Sequence, residues 1–259
     1  PQDPKECFEL AADAFDLAER LQTPVFVMSD LDIGMNEWLC EPLSWDDSRR
    51  YDRGKVLDHD ALEAAADFGR YLDVDGDGIP WRTLPGTHPT KGAYFTRGTS
   101  RDRYARYTEE GAVYQDNMER LLRKLETARS LVPAPVIERS ATGTRLGLIH
   151  FGSSAPAVRE ALAMLERQGI GLDVLRLRAF PFAETVNDFI AEHDQVFVVE
   201  QNRDAQMRTL LVNECAIDPA KFISLLHFDG TPITARFIAA EVAQRVRALN
   251  VVPMRRAAS

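Results

Sequence analysis

The sequence predicts an α/β chain that ends in a doubly wound domain with a mainly parallel sheet. Two observations carry that expectation. Short apolar runs of strand length recur at 146–151, 172–177, 196–199 and 222–226. Segments with helical spacing follow them at 155–167, 184–192, 205–214 and 233–249. Strands alternating with helices at these lengths need crossover connections, and so pair in parallel with helices on both faces. The runs are also continuous rather than alternating, as strands covered on both faces are.

The elements before this domain are less regular. Asp3 fits an N-cap, Pro4 a first helical position, and Glu6 completes a capping-box spacing. Phe8, Ala11, Ala12, Phe15, Ala18 and Leu21 then recur at helical period. Thr23-Pro24 ends that helix, and Val25-Phe26-Val27-Met28 reads as a short buried strand stopped by Ser29-Asp30. One helix and one strand cannot make a sheet, so 1–30 is expected to be the tail of a domain whose earlier strands lie elsewhere. A connecting region spans 31–137. It holds an irregular stretch rich in charge, a helix over 60–72, a Gly/Pro-rich loop over 73–98 and a second helix over 114–131. Pro133 and Pro135 mark its end, with 133–140 expected as a hinge before the domain at 145–250 and a tail at 251–259.

Composition narrows the function classes. With 45% hydrophobic and 27% charged residues, the 259-residue chain has an ordinary globular balance. A net charge of −9 excludes a nucleic-acid footprint, which must be basic. No apolar run approaches the roughly 20 residues that span a bilayer. The Pro1-Gln2-Asp3-Pro4 start lacks the basic and then apolar pattern of a signal peptide, so none is expected in this stretch. Cys7, Cys40 and Cys215 form no CxxC pair, which fits a reducing cytoplasm and cannot supply four cluster thiolates.

Four motifs have chemical content. Gly152-Ser153-Ser154 joins a strand to a helix amino terminus, where free N–H groups favour anions, or it is a tight turn with a serine cap. Glu200-Gln201-Asn202-Arg203 follows the third strand, where open parallel sheets gather their sites, or it is a solvated loop with Asp204 capping the next helix. Thr96-Arg97-Gly98-Thr99 sets an arginine beside a glycine, an arrangement able to hold a carboxylate or phosphate bidentately, or it is a surface loop whose arginine pairs with a nearby Asp. Asp73-Val74-Asp75-Gly76-Asp77-Gly78 imitates the start of a calcium loop, but its twelfth position is Leu84 and its eighth Pro80, so a rigid turn is expected. His88 and His150 have no metal-ligand spacing. No nucleophile and base are paired in the sequence, so neither a catalytic residue nor a metal ligand is assigned.

Several stretches together resemble the α subunits of 2-oxoacid:ferredoxin oxidoreductases, in the group that includes 2-oxoglutarate enzymes. They are Ala14-Phe15-Asp16-Leu17-Ala18-Glu19-Arg20 with Pro24-Val25 and Ser29-Asp30, the run from Asp75-Gly76-Asp77-Gly78 through Ile79-Pro80-Trp81-Arg82 to Thr83-Leu84-Pro85-Gly86, Tyr94-Phe95-Thr96-Arg97-Gly98-Thr99, and Val198-Val199-Glu200-Gln201-Asn202-Arg203. Where the family often shows Gly-His-Asp-Glu after Thr99, this chain has Ser100-Arg101-Asp102-Arg103, so no role of that histidine carries over.

The resemblance implies that 1–30 is the carboxy-terminal part of a thiamine pyrimidine-type domain and that 145–250 is a transketolase-C-like domain. It implies a role in oxidative decarboxylation of a 2-oxoacid to acyl-CoA, with electrons passed to ferredoxin. Thiamine diphosphate, Mg2+ and an iron–sulfur cluster would then be held mainly by a β subunit, and none is expected on this stretch alone. Arg97, Gly98, Thr99, Gly152, Ser153, Glu200, Gln201, Asn202 and Arg203 are expected beside the active centre or at a subunit interface. The alternatives are a non-catalytic α/β interaction module and a domain binding a small molecule or nucleotide.

Overall fold

From residue 136 onward strands and helices alternate, as the sequence predicts. The computed structural model describes residues 1–251, Asn250 and Val251 by backbone alone, and the expected 251–259 tail lies beyond Val251 outside the described residues. The chain divides into two compact units. One comprises residues 1–8, 28–43 and 133 onward; the other comprises 9–27 and 44–132.

In the first unit, five strands lie in the order β1-β3-β2-β4-β5. They are β1 (Val136–Glu138), β2 (Leu146–His150), β3 (Asp173–Arg176), β4 (Gln195–Glu200) and β5 (Phe222–Leu226). The last four pair in parallel, with Leu148 opposite both Val174 and Phe197. The antiparallel edge strand β1 is a finding the sequence did not offer: Val136–Glu138 pairs with Arg176–Val174 and joins the sheet.

Successive strand residues point to opposite faces, so each run feeds two cores. On one face Leu148, Val174, Phe197, Val199 and Leu225 pack against α5 (Ala155–Glu166) and α8 (Ala235–Val251) through Val158, Leu165, Ile238 and Val242. On the other, Ile149, Leu175, Val196 and Val198 meet α6 (Glu184–Glu192) and α7 (Gln206–Cys215) through Val186, Phe189, Ile190 and Leu211. Each such side chain contributes about 1.5–3 kcal/mol by leaving water.

The second unit is built differently. Its helices are most of α1 (Pro4–Leu21), the short α3 (His59–Ala64) and α4 (Gly111–Ala128). Its main apolar cluster has only four buried residues, Leu17, Leu21, Ile79 and Ala128. Charge fills in: Arg49 pairs with Asp13 and Asp16, and Lys55 with Asp75 and Asp77. The Asp73–Gly78 turn is held from within, since Asp73 accepts the amides of Gly76 and Gly78 at 3.0 Å. Gly78, at φ +80°, lies so close to α4 that a Cβ would fall 2.2 Å from the Lys124 nitrogen.

Two expected elements are corrected. Val25–Met28 pairs with no strand, and Phe26 and Met28 are exposed. Apolar content alone does not make a strand without a ladder partner. The helix expected over 60–72 stops at Ala64, because the amide of Tyr71 goes to the carbonyl of Arg103 at 2.9 Å and draws the chain out of helical register. Asp3 does cap α1, accepting the Glu6 amide at 2.8 Å. Glu6, however, accepts from the Gln2 amide and from Arg176 and Arg178.

Candidate functional site

In the first unit, β2 is followed across one crossover by β3 on one side, while β4 lies on its other side. The topology therefore switches between β2 and β4, where open α/β sheets form crevices at their carboxyl ends. A cleft of about 740 Å³ opens there, between the ends of β2, β4 and β5 and the segment after Met28. Its lining includes Asp30, Phe151, Gln201, Met207, His227 and Phe228.

The turn after β2 is a short 3-10 segment, Gly152–Ser154, leading into α5. Gly152 sits at φ +61°, and a Cβ there would meet the Asp30 carboxylate at 3.3 Å. That carboxylate accepts the Ser153 amide at 3.2 Å through Oδ2 and the Ile33 amide at 3.0 Å through Oδ1, so it also caps α2 (Leu31–Met35). Ser153 Oγ donates to Asp32 at 3.4 Å and accepts from Gln201 Nε2 at 3.1 Å. The Ser153 amide, which could favour an external anion, is thus engaged by the chain's own carboxylate.

Glu200, at the end of β4, is 1% exposed. It accepts from Asn202 Nδ2 at 2.8 Å, from the Met207 amide at 2.8 Å and from the Arg208 amide at 3.1 Å. It therefore satisfies free amides at the start of α7 from below, a task the sequence left to Asp204. Asn202 completes the clamp, its Oδ1 accepting the amides of Asp204 and Gln206. Gln201 links three segments by accepting the Ile233 amide at 3.3 Å while donating to Ser153. Arg203 lies outside, paired with Asp204 at 2.7 Å.

His150 and Ser154 are the nearest approach to a nucleophile with its base. Their Nδ1 and Oγ lie 3.3 Å apart, but Ser154 Oγ donates to the Phe151 carbonyl at 2.6 Å. Burial first, and then the charges of Arg176 and Arg159, push His150 down to about 3. A base so weak and so enclosed does not activate a serine at neutral pH.

Five of the sequence-predicted residues thus meet at one strand-end rim: Ser153 bonds Gln201, Glu200 bonds Asn202, and Gly152 packs against Asp30, with Arg203 beside them. Asp30 and Asp32 were missed as members of this rim. Their only signal was the Ser29-Asp30-Leu31-Asp32 turn chemistry, which does not say what it will touch. Arg97, Gly98 and Thr99 belong to the second unit. There Arg97 lies over the Tyr107 ring, 5.4 Å from its centroid.

The second unit also brings together His59, Glu63 and His88, which spacing alone did not connect. Their rings and carboxylate form a clasp. His88 Nδ1 accepts the amides of Thr90 and Lys91 at 3.1 and 2.9 Å, which leaves the proton on Nε2, 2.6 Å from Glu63. Lys91 takes the other oxygen of Glu63. Both ring nitrogens of His88 are therefore committed, which does not suit a ligand. Nor do the three free cysteines fit an iron–sulfur cluster, which takes four thiolates; none of them belongs to a ligand group among the described residues. Among the described residues no helix is long and apolar enough to cross a membrane.

The first unit is a doubly wound α/β domain with a strand-end rim and cleft, and the second is stitched by charge. No family model matches the chain. It is 28% identical over 242 residues to the α subunit of 2-oxoacid:ferredoxin oxidoreductase 2 of Aeropyrum pernix, covering 92% of this chain and 36% of that protein. It is 24% identical over 234 residues to the 2-oxoacid:ferredoxin oxidoreductase α subunit of Saccharolobus solfataricus, covering 88% and 35%. The chain resembles these α subunits over nearly its whole length and spans about a third of theirs. Those relatives are subunits of oxidoreductases that act on 2-oxoacids. The structure aligns with a 2-oxoglutarate:ferredoxin oxidoreductase from Magnetococcus marinus, solved with 2-oxoglutarate, coenzyme A and succinyl-CoA, at a TM-score of 0.79 and 21% identity. That alignment covers 94% of this chain and 41% of that one, and bears on the fold.

Proposed function

We propose that this chain is part of the α subunit of a thiamine-dependent 2-oxoacid:ferredoxin oxidoreductase of the 2-oxoglutarate type, in the cytoplasm. The observation that carries this reading is the 28% identity spread over 92% of the chain. The reaction is oxidative decarboxylation of the 2-oxoacid to its acyl-CoA, with electrons delivered to ferredoxin. Thiamine diphosphate, Mg2+ and the iron–sulfur cluster belong mainly to a β subunit, and the chemistry is theirs. Residues 1–30 are the tail of a pyrimidine-type domain, 31–137 connect, and 145–250 form the transketolase-C-like domain.

The share of this chain is scaffold and interface. Gly152, Ser153 and Glu200–Arg203 present a preformed rim whose donors are already paired, which suits contact with a neighbouring chain better than bond-making. Arg97, Gly98 and Thr99 act beside the active centre by holding an anion. Co-expression with a candidate β subunit tests this, by size-exclusion chromatography and by viologen reduction over several 2-oxoacids. Asn202→Ala, which removes the clamp on α7, is expected to weaken assembly by about 1.5–3 kcal/mol, the usual range for a hydrogen bond to a charged group. Stable assembly without turnover would favour a non-catalytic interaction module, and unaltered assembly and turnover by Asn202→Ala would remove the rim from the interface.

A further inference from the structure

Helix α4 of the second unit is turned inside out. Its inward stripe is polar: Asn117 donates to the Arg101 carbonyl, Arg120 to the Gly78 carbonyl at 3.0 Å, Lys124 to Thr23 Oγ1 at 2.7 Å and Thr127 to the Asp77 carbonyl at 2.7 Å. Its outward stripe is apolar. Tyr114, Met118, Leu121, Leu122 and Leu125 are all exposed, Tyr114 by 51% and Leu122 by 67%. We propose that this stripe is a docking surface for a second copy of the same chain, whose own α4 lies antiparallel across it. The proposal goes beyond the enzyme reading above and concerns the second unit alone.

The polarity of the helix is the first support. An amphipathic surface helix normally turns its apolar stripe to the core and its charges to water. Here the four polar side chains fix the opposite rotation, each reaching a partner within the same unit. Arg120 is buried, so rolling the leucines inward would tear its guanidinium from the Gly78 carbonyl. The helix is therefore held with its apolar face outward. A contiguous apolar stripe on a rigid, exposed element marks an interaction surface.

Spacing is the second. Tyr114, Met118, Leu121 and Leu125 follow one another at intervals of four, three and four residues, the seam by which one helix packs into the holes of another. The spacing reads the same from either end. In an antiparallel pair centred between Met118 and Leu121, Tyr114 of one copy falls opposite Leu125 of the other, and Met118 opposite Leu121. An isologous twofold contact requires this kind of self-complementarity. A foreign helix would not.

Charge is the third, and it selects the direction. Glu110 stands at the start of α4 and Arg129 at its end. The Glu110 side chain makes no cap bond, and its carboxylate has no ion pair among the described residues. In the antiparallel register it falls opposite Arg129 of the other copy, which already meets Glu126 at 2.9 Å and would bridge the two carboxylates. The same direction sets each helix dipole against its opposite. A parallel pair would bring Glu110 against Glu110. One helix pair falls short of the roughly 1,200–2,000 Å² of a standard interface, so the expected dimer is weak and concentration-dependent.

Sedimentation velocity on the full chain alone, from low micromolar to near-millimolar concentration, tests this without a partner subunit or turnover, so its failure leaves the enzyme reading standing. The unmodified chain should pass from monomer to dimer as concentration rises. Met118→Glu and Leu121→Glu, at exposed positions that leave the chain folded, should each weaken the dimer by at least about tenfold, a factor equal to about 1.4 kcal/mol. Glu166→Lys, at an exposed position of α5, should leave it unchanged. Disulfide trapping then reads the register, in a Cys40→Ser background that removes the exposed native thiol. A mixture of Tyr114→Cys and Leu125→Cys chains should link, whereas Tyr114→Cys alone should not, because its two thiols would lie about 16 Å apart along the pair. A chain monomeric throughout would overturn the proposal, as would a dimer indifferent to both glutamates or one linked through Tyr114→Cys alone. Protection of 111–128 from hydrogen exchange only on adding a candidate β subunit would give the surface to that partner and overturn it too.

Discussion

The two units solve the same problem with different currencies. The first lays continuous apolar strands between two helical layers, and Leu148, Ile149, Phe197 and Val198 are wholly enclosed. The second has a four-residue apolar cluster and otherwise relies on carboxylate–cation contacts, Asx turns and close backbone approaches. Hydrophobic burial is non-directional and insensitive to salt, whereas partly exposed ion pairs are geometric and screened. The first unit should therefore be the more stable, and hydrogen exchange read by mass spectrometry on the intact chain reports both separately.

Phe197→Ala is the most direct way to break that contrast. Phe197 is fully buried among Leu148, Val199 and the helices α5 and α8. Its truncation should cost about 3–5 kcal/mol, the usual range for a buried aromatic left as a cavity. Exchange protection across 146–150 and 195–200 should fall by that amount. If protection in 73–81 fell equally, the two units would be unfolding together and the contrast would be wrong.

The same contrast explains what was legible in the sequence. The strands and helices of the first unit could be read because Val196-Phe197-Val198-Val199 and its fellows have length and period, and the structure moves their boundaries by only a few residues. Edge strand β1 was hidden because Val136–Glu138 is three residues long and preceded by Pro133 and Pro135. The strand-end rim was half legible: Glu200 and Gln201 followed a readable strand, but Asp30 reaches Ser153 across 123 positions. No local pattern encodes that pairing. In the second unit Gly78 was read as part of a turn, whereas its role is to admit the backbone of α4. Nor does any spacing announce that Arg97 will lie on Tyr107.

Acid should sharpen the comparison at an intermediate scale. His150 is buried in the first unit, and its folded value is pushed down to about 3. A depressed histidine contributes stability that is complete above its unfolded value near 6.5 and is lost as pH falls through that window toward 3. The slope approaches about 1.4 kcal/mol per pH unit, so the first unit should lose about 2 kcal/mol between pH 6.5 and 5. Glu6 adds nothing until lower pH. Burial opposes its ionisation, but Arg176, Arg178 and the Gln2 amide outweigh that and hold it at about 2, so its contribution fades only between about 4.5 and 2. The second unit responds at the other end. Burial, then Arg120 and Arg70, lower Lys124 to about 8, so its contribution is complete above the unfolded value near 10.5 and falls away as pH drops toward 8. Urea unfolding at pH 6.5 and 5, compared with the same pair for His150→Asn, should show the slope in the parent alone. An equal slope in both would assign it to other groups.

The smallest expected effect tests the second unit's polar construction. Lys55 Nζ lies 2.6 Å from Asp75, 2.7 Å from Asp77 and 3.0 Å from the Ile79 carbonyl, and its side chain is 19% exposed. Burial works against its charge, but the two carboxylates outweigh it and raise the lysine above its ordinary range. Lys55→Met keeps the stem and removes the charge, leaving Asp75 and Asp77 facing each other. The cost should be about 1 kcal/mol at low salt, in keeping with a partly screened network. It should shrink in 1 M KCl, where the screening length is about 3 Å, while the cost of Phe197→Ala should not change. Calcium distinguishes two explanations of the turn. If Lys55 merely stood in for a cation, millimolar calcium would restore the variant. With Leu84 at the position that should close the shell, and with Asp73 already accepting two backbone amides, no restoration is expected. Recovery of exchange protection in 73–81 on adding calcium would instead make this turn an ion site that the lysine occupies by charge alone.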